Sequence, residues 1–262
     1  MVQERLRAAG RLPQNQGDIQ RAGLKLIQEV IRTHGIVDPG PKEQPVKKSS
    51  RKKETRASAE LDLKAEWQRQ SQNFLRLGFH IERGFPDTDE GKQAYLATLP
   101  RFEAQPKEYQ GRADMPMLIE KEIPWRKQAE LAGIDISDYL QGRVDKVTVW
   151  QGNHSKAPDV SYASWFNKWG QVFPDAISPF EARKQLAADL AGADPFEGID
   201  YEIHFSPTAS SKYFDLIGSQ VGSGLVVRLC RWLGRPGLDA LDGDGADPLW
   251  RPLVRGSKVV TR

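Results

Sequence analysis

At 262 residues, 39% hydrophobic and 28% charged, the chain has a globular composition with a polar excess, long enough for one sizeable domain and additional segments. No apolar run approaches the roughly 20 residues of a membrane span, and the opening MVQERLRAAGRL puts Glu4 and Arg5 where a secretory signal needs an apolar stretch. Cys230 is the single cysteine, which excludes an intrachain disulfide and fits a reducing compartment, so the expectation is a cytoplasmic protein.

The first predicted element is a helix in GDIQRAGLKLIQEVIRTHG. Asp18 is placed to cap it, Ile19, Gly23, Ile27, Val30 and Ile31 share one face, and Gly35 stops it. Residues 2–11 are a second short helical candidate, so residues 1–37 read as a helical N-terminal segment too small to bury a core alone. No third helix supplies a helix-turn-helix recognition face. Packing on the main domain and docking on a partner both remain open.

The formal charge of +3 is unevenly placed. DPGPKEQPVKKSSRKKETR, at 38–56, holds seven basic and three acidic residues and is +4 by itself, so the remainder sums to −1. With three prolines and one valine it has nothing to bury and is predicted to be a disordered basic linker over 38–57. Lys47, Lys48, Arg51, Lys52 and Lys53 are its candidate polyanion contacts. No aromatic residue interleaves with them to stack bases, which favours a solvated tether over a nucleic-acid hook.

From residue 58 onward the pattern is mixed. Leu63, Trp67, Phe74 and Leu77 lie on one helical face that Gly78 ends, and a short helix is predicted over Asp89–Thr98 before Pro100. MPMLIEKE (115–122) reads as a strand and WRKQAELAG (125–133) as a short helix. VDKVTVWQ (144–151) and DVSYASWFNKW (159–169) read as strands around a Gly152-Asn153 turn. Ser178-Pro179-Phe180-Glu181 is a capping box with proline at the first helical position, so a helix should run to about Ala191. Asp194-Pro195-Phe196-Glu197 repeats that cap. Ile199, Tyr201, Ile203 and Phe205 alternate as in a strand, and the cap tips the segment to helix.

FDLIGSQVGSGLVVRLCRWLGRPGL (214–238) contains Gly218, Gly222 and Gly224. A phosphate loop needs Lys-Ser/Thr after its last glycine, and here Leu225-Val226 follow. The dinucleotide spacing also fails, and LVVRLCRW is β-branched rather than helical. Two strands joined by a turn at Val221–Gly224 fit better.

No catalytic, cofactor or metal residues emerge. Asp242, Asp244 and Asp247 evoke a calcium loop, but the register puts Ala240 first and Arg251 twelfth, so a solvated acidic turn is expected. His34, His80, His154 and His204 are scattered without zinc spacing. Asn153-His154-Ser155 spells a glycosylation site but reads as a turn. Ser219 lacks the nucleophile-elbow glycine, and Cys230 reads as a buried thiol. His204 beside Glu202 is the best base candidate, weaker than a structural histidine. Tyr162, Trp165, Phe166, Trp169 and Phe173 offer either a ligand platform or a strand covered on both faces.

WQRQSQNFLRLGF, PDVSYASWFNKWGQVF leading into SPFEARKQLAA, and the glycine hairpin occur in an order that resembles the bacterial family catalogued as domain of unknown function 5701, over roughly residues 65–240. That family has no established activity to transfer. The fold expected is α+β, a mixed or antiparallel sheet flanked by helices over 58–262. The function expected is a non-enzymatic interaction protein. The alternatives are an enzyme whose site gathers distant residues such as Glu202, His204 and Arg228, and nucleic-acid association through the linker.

Overall fold

The computed structural model describes residues 61–152, 157–169, 171–173, 176–205, 213–232, 234–247 and 249–262. The expected helices of 1–37, the linker of 38–57 with Lys47, Lys48, Arg51, Lys52 and Lys53, and His34 and His154 lie outside these residues. The described residues carry seven helices and two sheets, an α+β architecture. None of these helices is long and apolar enough to cross a membrane.

Helix α1 (Leu63–Arg76) starts where the Asp62 carboxylate accepts from the Lys64 and Ala65 amides, both at 3.0 Å. It ends before Gly78, whose φ of +77° only glycine adopts without strain. Its buried stripe is Trp67, Gln70, Ser71 and Phe74, with Leu63 and Leu77 half-buried. Short helices α2 (Phe79–Glu82), α3 (Asp89–Leu96), α4 (Trp125–Ala132) and α5 (Asp138–Gln141) follow. Helix α6 (Pro179–Gln185) begins as the Ser-Pro-x-Glu cap requires, the Ser178 hydroxyl accepting from the Glu181 amide at 3.2 Å. It stops at Gln185, short of the Ala191 expected, because Leu190–Gly192 is taken as strand β5. Helix α7 (Pro195–Phe205) follows its cap, not its alternation. Asp194 N donates to Glu197 Oε2 at 2.7 Å, and Glu197 N donates to Asp194 Oδ1 at 3.1 Å.

In the first sheet, β1 (Met115–Ile119) pairs antiparallel with β4 (Tyr162–Phe166). On its other side β4 meets β10 (Val254–Gly256) and β11 (Val260–Thr261), and β10 meets β5. The second sheet runs β2 (Asp135–Ile136), β8 (Arg235–Asp242), β7 (Leu225–Trp232), β6 (Tyr213–Val221), β3 (Val147–Val149), with β9 (Trp250–Pro252) parallel along the start of β6. The β2–β8 pair is parallel too, so this sheet is mixed. The strands expected over 144–151 and 159–169 shrink to Val147–Val149 and Tyr162–Phe166, the first preceded by a 3-10 turn at Val144–Lys146.

The sheets join where three segments cross. The chain leaves β9, passes Leu253 and enters β10; Leu253 N donates to Asp215 O and Leu253 O accepts from Ala193 N, both at 3.0 Å. The β6–β7 register shifts between Leu216 and Val221, and in that gap Gly218 N donates to Ala193 O at 2.8 Å. A Cβ at Gly218 would lie 2.1 Å from Gly192 O, so the crossing demands glycine. The main core spans Phe74, Phe79, Tyr95, Met117, Ile199 and Leu216, and a smaller one gathers Tyr109, Trp165, Phe173 and Ile217. Strand β4 feeds both: Tyr162 and Phe166 enter the first, Trp165 the second.

Candidate functional site

The glycine-rich segment is a hairpin. Val221 pairs with Leu225, and Gly222 takes the left-handed conformation with φ +61°. The close backbone approach falls on Gly218, in the strand and not in the turn. The Ser219 hydroxyl is spent on Leu216 O at 2.7 Å.

The polar side chains that sequence could mistake for chemistry serve the outer edge of β1. β1 ends its sheet, and among the described residues no strand pairs with its outer edge, where backbone groups of residues 116, 118 and 120 meet side chains instead. Gln70 of α1 fills the first place: Nε2 donates to Pro116 O, and Oε1 accepts from Leu118 N, both at 2.8 Å. His204 Nε2 meets Leu118 O at 3.2 Å, and Asp200 Oδ2 accepts from Glu120 N at 2.9 Å. Gln128 of α4 donates to Glu120 O at 2.6 Å. Four buried side chains thus replace a missing strand and satisfy groups that would be costly to leave unpaired.

That role fixes which ring nitrogen of His204 carries a hydrogen. Its partner is a carbonyl, which accepts only, so Nε2 carries the hydrogen. Burial and then the Arg69 charge pull its pKa down to about 3. Glu202 pairs instead with Arg231, and Arg228 Nε with Asp215 Oδ1 at 2.6 Å beneath the Trp250 ring. The three residues that a dispersed catalytic site would use are each committed to separate internal partners. Burial pushes the Cys230 thiol up to about 12, as for an inert core cysteine.

Between β1, β4 and α7 lies a seam of buried charge. Glu120 accepts from Arg83 Nη1 at 3.3 Å, the Tyr95 hydroxyl at 3.1 Å and the Ser161 hydroxyl at 2.7 Å. Lys121 Nζ bonds Asp194 at 2.8 Å, and Arg255 Nε bonds Glu197 Oε1 at 2.5 Å, an oxygen that also accepts from the Tyr162 hydroxyl. Arg83, Lys121 and Arg255 thus face Glu120, Asp194 and Glu197. Asp200 is the acid left over. Burial, then the Glu120 and Asp194 charges, raise its pKa well above the carboxylate range, and its Oδ1 has no hydrogen-bond partner. Sequence reading missed Gln70, Glu120, Asp200 and Arg255. One signal was available: Gln70 is a polar residue on the stripe of Trp67 and Phe74, and Asp200 and His204 sit four apart on one face of α7.

The aromatic cluster is not an open platform. Tyr162, Trp165, Phe166 and Phe173 are buried. Beside Trp165 a notch of about 80 Å³ opens between residues 102–106 and the C-terminal strand, lined by Phe102, Glu103, Pro106, Trp165, Lys258 and Val260. Asp242 and Asp247 do form turns, accepting from the Asp244 and Leu249 amides at 3.0 and 2.8 Å. Among the described residues, no three His, Cys, Asp or Glu side chains gather as a metal site. Compared with known proteins, the chain matches no family model, no curated protein and no solved structure.

Proposed function

We propose that this protein acts by binding a protein partner and not by catalysis, and that the partner seats one short apolar side chain in the notch beside Trp165. The size of the notch carries the reading. At about 80 Å³ it is several times smaller than the roughly 300–1,000 Å³ of a small-molecule site, and it suits a proline, alanine or valine side chain. Charge on its rim selects the neighbour. Lys258 is neutralised by Glu108 at 2.5 Å, whereas exposed Glu103 meets no cation among the described residues, so the partner residue flanking the apolar one is basic. Kinship with domain of unknown function 5701 rests on the sequence segments quoted above, and a cytoplasmic setting on the unpaired Cys230.

The test is selection of displayed random peptides on the full chain. Enriched sequences should pair Pro, Ala or Val with Lys or Arg, and should lose binding to Ala104→Trp, which plugs the wall, and to Glu103→Lys. Enrichment without that pairing, or binding indifferent to both substitutions, overturns the proposal. Retention of duplex DNA that depends on Lys47, Lys48, Arg51, Lys52 and Lys53 and fades with salt would move the function to the linker instead.

A further inference from the structure

Helix α6 carries a buried cation that no acid among the described residues neutralises. Arg183 is 7% exposed; its Nε donates to Ile217 O at 2.8 Å and its Nη2 to Ser219 O, carbonyls flanking the Gly218 crossing in β6. The guanidinium lies over two half-buried rings, 4.9 Å from the centre of Trp150 and 5.1 Å from that of Phe180. Two other buried arginines have carboxylates, Asp215 for Arg228 and Glu197 for Arg255. Arg183 has none among the described residues: burial alone acts on it, bringing its pKa down to about 10. Neighbouring Lys184 is exposed and paired with Glu181.

A guanidinium has five N–H groups in a planar fork. With one edge spent on two carbonyls, both N–H groups of Nη1 and one of Nη2 are left, and one from each nitrogen forms the pair that grips a carboxylate with two parallel bonds. Arg228 Nη1 is sealed in without a partner; Arg183 Nη1 makes no hydrogen bond and is not among the sealed atoms. We propose that the Arg183 fork, walled by Trp150 and Phe180, is a binding site for a carboxylate. One cation with no second beside it suits a singly charged acid better than a phosphate dianion. The carboxylate comes either from a small organic acid or from the C-terminus of a peptide.

The full chain is titrated calorimetrically with benzoate and with benzamide, its neutral isostere. The expected result is one saturable benzoate site with a Kd on the order of 1 mM, and benzamide at least about tenfold weaker. Arg183→Lys, checked for folding by circular dichroism, should abolish the two-bond grip and weaken benzoate by about tenfold or more. If that variant does not fold, Phe180→Ala removes one wall and should weaken benzoate severalfold. Absence of saturation with wild type, equal binding of benzamide, or unchanged benzoate affinity in a folded variant overturns the site. Capped tripeptides with free or amidated C-termini assign the source. A free tripeptide tighter than benzoate names a peptide terminus, and a weaker one names an organic acid.

Discussion

The claim that Gln70 substitutes for a strand can be tested by Gln70→Met. Methionine nearly matches glutamine in length and volume, so cavity and strain costs stay small. What is lost is hydrogen bonding: Pro116 O and Leu118 N, each bonded to Gln70 at 2.8 Å inside the protein, would be left without partners. A buried backbone group stripped of its partner costs about 1–3 kcal/mol, so the two together should cost about 2–6 kcal/mol. Urea unfolding near neutral pH reads this as a lower midpoint at unchanged slope. Hydrogen exchange should show faster exchange of the Leu118 amide. Ser71→Ala is the control. Ser71 is equally buried on the same helix, but its hydroxyl bonds only Gln68 O one turn back, so its removal should cost under about 1 kcal/mol. A Gln70→Met variant within about 0.5 kcal/mol of wild type, with Leu118 still protected, would refute the edge-capping account.

Asp200→Asn keeps an acceptor for Glu120 N and cannot ionise. Because the native pKa of Asp200 is raised, the folded chain keeps a proton that the unfolded chain releases above about 3.9, so wild-type stability is lost as pH rises from there through the native value. The variant's advantage in denaturant midpoint should therefore widen from pH 4 to 8, and a gap that narrows would contradict it. His204 acts with opposite sign. Its native pKa near 3 lies below the unfolded value of about 6.5, so its contribution is complete above that pH and fades on acidification, by at most about 1.4 kcal/mol per pH unit. His204→Gln should flatten that acid limb of the stability curve. Gly218→Ala, whose new carbon would meet Gly192 O at 2.1 Å, should cost at least about 3 kcal/mol in unfolding experiments, whereas Gly224→Ala meets nothing within 4 Å and should cost under about 1 kcal/mol. Arg255→Met strands Glu197 in the core and should cost about 3–5 kcal/mol, much of it recovered by adding Glu197→Gln; a double-mutant cycle without coupling would contradict the pair.

Elements set by neighbours along the chain were legible beforehand. Ser178 and Asp194 cap helices because a side-chain oxygen within three residues finds the free amides of the first turn, and Gly222 reverses the hairpin because its backbone tolerates positive φ. The local signals misled where partners are distant in sequence. The helical propensity after Gln185 yielded to pairing of Leu190–Gly192 with Val254–Gly256, a match made across more than sixty residues of chain. The same distance hid the C-terminal strands, whose short and polar segments become strands only beside β6 and β4.

By itself the sequence determined the α+β class, the caps and the hairpin, since each depends on residues close enough to meet before the chain folds. Tertiary structure alone decided what the polar residues do. Gln70, Asp200 and His204 become strand substitutes because packing brings α1 and α7 against an unpaired edge. Arg183 is left a lone cation among the described residues because the segments folded around it bring aromatic rings and carbonyls and no acid. Whether a buried charge finds a partner depends on three-dimensional neighbours, and no local pattern encodes those.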